Sequence, residues 1–326
     1  MIQVVMDKNS KIAGIDISKS SFDVYSETEG HQKFENTTSG FKKLVKAYGK
    51  DTHYVMESTG CYHVLLALYL SGEGILVSIE NPLKIKRFIQ MQLLKVKTDK
   101  ADARMICKYG ISQDLKIWKS PDSFQRQSES LFSLLQFYEK QRTSIKNKLH
   151  REKTLGKPSS SVLKSLKDIL LTFDREVLRL EVELEELVKK LYREELALLR
   201  SIPGIGIKTS ILLVMLTDGM RSFERSGQLC SYAGLTPVIR ESGRSVRSRP
   251  RISKMGNGLL RKHLFMCAFN AIKYNSVCKS LYERIKGKGK SGKVAIIAVC
   301  NKLLKQSFGI LKSGKPYCEN FSLISA

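Results

Sequence analysis

Residues 11–27 read KIAGIDISKSSFDVYSE, two strand-like stretches joined by a short KSS turn. The first, KIAGIDIS (11–18), is apolar apart from Asp16 and the end residues. The second, FDVYSE (22–27), is likewise strand-like. HQKFENT (31–37) follows directly after a glycine. Three short strands with turn residues between them predict an antiparallel meander. Asp16 is the anomaly in it, because an unpaired carboxylate inside an apolar strand costs on the order of several kcal/mol to bury. It must reach solvent, a partner or a cation.

Beyond the meander the period changes. GFKKLVKAYGK places Phe41, Leu44, Val45 and Tyr48 at helical spacing. THYVMES (52–58) reads as a strand, YHVLLALYL as a helix and GILVSIE as a strand. PLKIKRFIQMQLLKV opens with proline, which suits a first helical turn. DKADARMICKYG is a last helix, expected to stop at its glycine. Three strands followed by alternating helix and strand is the order of a ribonuclease H-like α/β domain, expected over residues 1–120.

Residues 121–196 are helical and polar. Leu131, Leu135, Tyr138, Ile145 and Leu149 fall at helical spacings, and Val177, Leu180, Leu184, Leu187 and Leu191 step 3-4-3-4 as a heptad seam flanked by Glu and Lys. LGKPSSS (155–161) separates the two helices. A helical hairpin or coiled coil is expected, used either for internal packing or, since two helices leave such a seam poorly covered, for a dimer contact. Residues 197–326 open with SIPGIGIKTSILLVML, where Pro203, Gly204 and Gly206 predict a tight helix-hairpin-helix turn. With Lys208, that turn offers a phosphate seat at a helix N-terminus; its plainer reading is an ordinary turn between helices. The rest of the segment reads as a mainly helical, basic domain.

The charge narrows the function. The chain of 326 residues carries a net +25, which for a soluble protein points to nucleic acid more than to a membrane surface. Residues 1–102 hold 14 Lys/Arg against 12 Asp/Glu, whereas residues 239–316 hold 19 against two, Glu241 and Glu283. Arg240, Arg244, Arg247, Arg249, Arg251, Lys254, Arg261 and Lys262 in that stretch are candidate phosphate contacts. The alternative, a merely solvated face, fits poorly with so one-sided a charge. No unbroken apolar run approaches 18 residues, the N-terminus lacks the long apolar stretch of a signal peptide, and the seven cysteines form no C-x-x-C pair. A cytoplasmic, nucleoid-associated protein with reduced thiols and no membrane association is expected.

Four acids in the first segment can act together. Glu57 ends the THYVMES strand, where an α/β sheet presents ligands. Asp99 and Asp102 are three apart in VKTDKADARMIC (96–107) and share one helical face. If the two strands are neighbours and the last helix crosses their ends, Asp16, Glu57, Asp99 and Asp102 converge. Such anions repel, and Mg²⁺ ions are the natural remedy; two ions about 4 Å apart clamp the attacking and leaving oxygens of a phosphodiester. Each acid alone has a plainer reading: Asp16 facing a turn, Glu57 as a charge at a helix start, Asp99 as an N-cap. Asp23 is set aside, since it has no partner at helical spacing.

At this point GIDISKSSFDVY, MESTGCY and VKTDKADARMIC resemble the N-terminal domain of IS110-type insertion-sequence transposases, a domain similar to the RuvC junction resolvase with a D-E-D-D tetrad. The resemblance places the tetrad at Asp16, Glu57, Asp99 and Asp102. SIPGIGIKTS, YAGLTPVIRESG and RISKMGNGLLRKHLF resemble the C-terminal transposase domain of the same family, so the likeness spans nearly the whole chain. It also implies a second catalytic group, the serine of RESGRS, Ser242. The chemistry is reasonable unaided, because the surrounding arginines can neutralise a phosphate under attack, although Ser-Gly can be a plain turn and Ser245, Ser248 and Ser253 stand nearby. The resemblance further implies an element-encoded guide RNA that pairs with donor and target DNA, homodimers assembling to a tetramer, a phosphoserine intermediate and a centre composed from two subunits. A metal nuclease of the junction-resolvase kind using only the four acids, a guide-independent DNA invertase of the same family, and a non-enzymatic architectural binder are the competing readings.

Overall fold

The computed structural model describes residues 11–58, 60–93, 98–238, 241–242, 246–247, 251–252 and 255–319. The chain divides into two compact units, Met1–Pro121 and Asp122–Ala326.

In the first unit, β1 (Ile12–Ile17), β2 (Ser21–Ser26) and β3 (Gly30–Glu35) form the expected meander, followed by α1 (Thr38–Tyr48), β4 (His53–Glu57), α2 (Val64–Gly72), β5 (Val77–Glu80), α3 (Pro82–Met91) and α4 (Asp99–Ser112). The sheet runs in the order β3-β2-β1-β4-β5; β4 joins β1 in parallel and β5 joins β4 in parallel. This mixed α/β order is consistent with a ribonuclease H-like domain. One face of the sheet buries Ile15, Ile17, Phe22, Val24 and Met56 among residues of α1 and α2. The other face packs Val55 against Ile85, Ile106 and Tyr109 of α3 and α4. Because both faces are covered, β1 is nearly apolar throughout rather than alternating.

Gly110 was expected to end α4, yet the helix runs on to Ser112. The glycine serves packing instead: a Cβ there would lie 2.9 Å from Ile12 and 3.0 Å from Val55 side-chain atoms. Behind the sheet the buried His53 ring lies 2.8 Å from Ser78 Oγ, which donates to the Lys116 carbonyl at 2.8 Å. Burial lowers the His53 pKa to about 4, so the ring is neutral in the fold.

The second unit is mostly helical: α5 (Ser123–Thr154), α6 (Ser160–Arg200), α7 (Ile207–Thr217), α8 (Ser226–Tyr232), α9 (Gly258–Tyr274), α10 (Ser276–Gly287) and α11 (Gly292–Ser313). Four two-residue strands interrupt it: β6 (Pro237–Val238), β7 (Glu241–Ser242), β8 (Val246–Arg247) and β9 (Arg251–Ile252). The helical hairpin of α5 and α6 is present, and its apolar side shares one core with α7 to α11. The residues read as separate segments, 121–196 and 197–326, are thus joined through that core. Helix α11 is long and apolar enough to cross a membrane by length and composition, but it buries Val299, Leu303 and Leu304 in the same core.

The expected heptad seam holds only in part. Val177, Leu180 and Leu184 are buried, but the stripe then continues through Val188, Tyr192, Leu196 and Leu199, while Leu191 is 57% exposed. The observed stripe steps 3-4-4-4-4-3 and so averages about 3.7 residues per turn, as in an 11-residue repeat, which drifts in the opposite sense to a strict heptad of 3.5. At Tyr192 the backbone departs from helical geometry (φ −127°, ψ 33°). Leu184→Ala is therefore expected to cost about 2–5 kcal/mol of stability and Leu191→Ala less than about 0.5 kcal/mol, compared by urea denaturation.

Candidate functional site: an acidic cluster and a serine ribbon

The sheet register brings Asp16 and Glu57 together. Ile12 pairs with His53 and Ile15 with Met56; continued by one residue, the same register sets Asp16 level with Glu57. Level residues on parallel neighbours lie about 5 Å apart and point to one face. That face is the one α4 covers, since Val55, two residues before Glu57, packs there. The direction of α4 follows from two glycines. Gly14 lies against Ala103 and Cys107, and Gly110 against Ile12, so the helix runs antiparallel to β1. Its first turn therefore comes to the Asp16 end of the strand.

Thr98 caps α4, its hydroxyl accepting from the Ala101 N–H at 3.2 Å. Asp99 is therefore the first helical residue and not the cap. Asp99 and Asp102 both fall in the first turn, where the helix dipole favours negative charge. The outcome is legible at Asp16: its pKa is raised from 3.8 to about 6, by burial first and then by Asp102, Asp99, Glu57 and Asp23 in that order. Four carboxylates thus crowd one half-buried acid. The donors are hard oxygens, which fit a divalent ion of the alkaline-earth kind, and their repulsion is what such an ion relieves. Among the described residues, no group of three or more His, Cys, Asp or Glu is placed to hold a metal ion.

Sequence spacing missed Asp23. It pairs directly with Asp16 across β1 and β2, and directly opposed residues share a face. It is only 6% exposed. Its two oxygens are held by His31 at 2.7 Å and Lys33 at 3.5 Å, both on the edge strand β3. Beside it, the Arg104 guanidinium of α4 sits 5.6 Å over the Tyr25 ring. Cross-strand pairing, not helical spacing, was the signal that could have found it.

In the second unit Ser242 lies on a β-ribbon that the sequence reading did not anticipate. Val238 pairs with Arg251, Pro237 with Ile252, Glu241 with Arg247 and Ser242 with Val246, all antiparallel. The candidate phosphate contacts Arg240, Arg244, Arg249 and Lys254, and the rival serines Ser245, Ser248 and Ser253, lie outside the described residues. Arg247 and Arg251 lie on the ribbon strands β8 and β9. The base of the ribbon is built by the two glycine blocks. A Cβ on Gly234 would sit 2.0 Å from the Met255 carbonyl, and one on Gly256 2.7 Å from Gly234 N. The backbones of YAGL and MGN (255–257) therefore touch, and Asn257 N–H donates to the Tyr232 carbonyl at 2.8 Å.

Three of the expected nucleic-acid contacts have partners within the fold. Lys208 bridges Glu139 at 2.8 Å and Glu181 at 2.6 Å, tying α7 to the α5–α6 hairpin. Gly204 adopts φ +105°, and a Cβ there would lie 2.7 Å from Ala271; it lets the turn approach α9. Arg261 donates to the Ala233 carbonyl at 2.9 Å and so braces the ribbon base. Gly206, with open space around it, caps α7, and Lys262 is exposed.

Comparison with known proteins bears on both units. A family model described as "Transposase IS116/IS110/IS902 family" matches residues 196–283, and a second, described as "Transposase" and covering the DEDD-type IS110 domain, matches residues 13–153. The chain is 33% identical to the pilin gene-inverting protein of Moraxella lacunata, over 93% of this chain and 96% of that one. It is 32% identical to the insertion element IS110 43.6 kDa protein of Streptomyces coelicolor over 36% of this chain and 29% of that one. It is 23% identical to the transposase for insertion sequence element IS1111A of Coxiella burnetii over 90% of this chain and 88% of that one.

Proposed function

The chain belongs to the IS110 family of transposases, and from that premise we propose that it is an RNA-guided DNA recombinase in which the acidic cluster and Ser242 work as two halves of one composite centre. It is an enzyme that acts on DNA by recombination, and its DEDD-type domain implies dependence on a divalent metal. The reading assigns Mg²⁺ to Asp16, Glu57, Asp99 and Asp102, and the observation that carries it is the crowding of three further carboxylates around the half-buried Asp16. Bound there, the ion supplies positive charge to a phosphate whose negative charge otherwise repels a nucleophile.

The remaining chemistry falls to Ser242. Its Oγ attacks a DNA phosphorus, a bond to the phosphorus forms, and the bond from that phosphorus to the 3′ oxygen breaks. The serine proton leaves with the 3′ oxygen, giving a phosphoserine and a free 3′-hydroxyl. A 3′-hydroxyl from the exchanged strand then attacks the phosphoserine and restores the serine. Arg247 and Arg251, on the strands of the same ribbon, are suited to holding phosphate oxygens. A guide RNA encoded by the element pairs with donor and target DNA and supplies the sequence choice. Dimers, joined through the α5–α6 hairpin, assemble into the tetramer that brings the acids of one subunit to the serine of another.

A second reading has support of its own: the long likeness to a pilin gene-inverting protein favours guide-independent site-specific inversion. Nuclease treatment separates the two, since digestion of copurifying RNA stops a guided recombinase and leaves an invertase active. The composite centre has its own test in a plasmid recombination assay. Asp102→Ala and Ser242→Ala are each expected to lose about 10³-fold or more of product, and mixing the two inactive proteins is expected to restore product. A mixture as inactive as its parts contradicts the shared centre, and full activity of Ser242→Ala contradicts the serine.

A further inference from the structure

We propose that the groove between the outer face of α5 and Lys262 of α9 holds a single-stranded nucleic-acid segment. The groove encloses about 830 Å³ and is walled by Gln136, Phe137, Lys140, Ser144 and Asn147 of α5 with Lys262 of α9. These α5 residues recur at three- and four-residue steps, so they form a continuous strip along the helix.

The chemistry of the strip selects the occupant. Lys140 and Lys262 are exposed, and among the described residues neither is held in an ion pair. Glu139, an acid on the groove wall, is bonded to Lys208 at 2.8 Å, and Arg142 is turned toward Asp174 at 3.4 Å. What the groove offers is therefore cations, amide and hydroxyl groups, and one aromatic ring. Phe137 is 54% exposed, its ring tilted against that of Tyr138 at 6.0 Å between centroids with the rest open to the groove. Residues 140–154 continue the positive charge with six Lys/Arg and a single acid, Glu152. Beyond Lys262, Met266 and Phe269 follow on the same α9 face, at 61% and 43% exposure.

A protein partner would ask for more apolar area and fewer free cations. A duplex would meet the lysines with its phosphates but keep its bases stacked inside, out of reach of Phe137. A single strand meets both, with phosphates on Lys140 and Lys262 and a base on the phenyl ring. The strand can be the unpaired part of an RNA or a DNA strand opened during exchange; the recognising chemistry is the same. The inference needs only that this protein handles nucleic acid and rests on neither the acids nor Ser242.

The test is fluorescence anisotropy with the full chain and labelled 20-nucleotide probes: single-stranded RNA, single-stranded DNA of matching sequence and duplex DNA, without divalent ions. Phe137→Ala is expected to weaken binding of one or both single strands by about 5–100-fold and to leave the duplex within about twofold of wild type. Which single strand loses more identifies the occupant. Lys140→Ala with Lys262→Ala is expected to reduce the single-strand salt slope by about 1.4, from two lost phosphate contacts. Single-strand affinity unchanged in Phe137→Ala, equal weakening of single strand and duplex, or a change in oligomeric mass with no change in binding would each overturn the proposal; the last would assign the groove to a second copy of the chain. Because no turnover is read, failure here leaves the proposed chemistry standing.

Discussion

Asp16→Asn raises the melting temperature of the metal-free protein at pH 7 by a few degrees while abolishing recombination. The two effects have one cause. The folded chain holds the Asp16 pKa at about 6, against 3.8 ordinarily, so its charged form is disfavoured in the fold. Above pH 6 that charge costs about 1–3 kcal/mol of stability, the upper figure being the full shift converted. The sign is that of a raised carboxylate: stability improves as pH falls through 6 and the cost is fully present at pH 7. An amide of the same shape removes the charge, which for a domain of this size is worth a few degrees. It also removes the central donor of the cluster. Mg²⁺ should raise the melting temperature of wild type by mass action and leave the variant nearly unmoved. A lower melting temperature for Asp16→Asn, or an equal Mg²⁺ response, contradicts the account. The variant should also unmask His53, whose lowered pKa of about 4 has the opposite sign. Its contribution is complete above pH 6.5 and is lost as pH falls toward 4. In wild type the two titrations oppose each other over that window; in Asp16→Asn the acid loss should appear alone.

Gly14→Ala is the second large effect. A Cβ on Gly14 would lie 2.1 Å from Cys107 N and 2.4 Å from the Ala103 carbonyl oxygen. Both are backbone atoms in the middle of α4, so no side chain can rotate aside. The helix must lift from β1, exposing Ile106 and Tyr109 and breaking the contact between Cys107 Sγ and the Ile12 carbonyl. Overpacking of this kind costs about 3 kcal/mol or more, and the displaced helix carries Asp99 and Asp102 with it. Gly110→Ala meets only side-chain methyls near 3 Å, which have some room to move, and should cost clearly less. Urea denaturation of the two variants, with Mg²⁺ stabilisation as a second readout, checks the order. Equal costs would mean that α4 does not depend on close backbone contact with β1.

How far the sequence could be read depended on whether the signal was local. The strand pair around KIAGIDIS and FDVYSE, the helix after Thr98 and the three-residue step from Asp99 to Asp102 are short-range patterns, and each appears where it was expected. Positions set by a partner element were misread. Gly110 looks like a helix stop, but it is there because α4 crosses two strands. Leu187 and Leu191 continue a heptad on paper, yet the core of α7 to α11 takes the next residues along, Val188 and Tyr192. Lys208 pairs with two carboxylates on α5 and α6, contacts that no local pattern announces. Asp23 has no local partner at all; its relation to Asp16 exists only once β1 and β2 pair. The ribbon bearing Ser242 is four two-residue strands, too short for any period to show, and glycines 22 residues apart, Gly234 and Gly256, set its base.

The most direct test of the two-centre reading is a denaturing gel of purified protein, its copurified RNA, matching end-labelled DNA and Mg²⁺, run for wild type, Ser242→Ala and Asp102→Ala. The account predicts a covalent protein–DNA band in wild type, mapped by mass spectrometry to Ser242 and absent from both variants. Clean cleavage without that band, unchanged in Ser242→Ala and lost in Asp102→Ala, would make the protein a metal nuclease and contradict the serine mechanism.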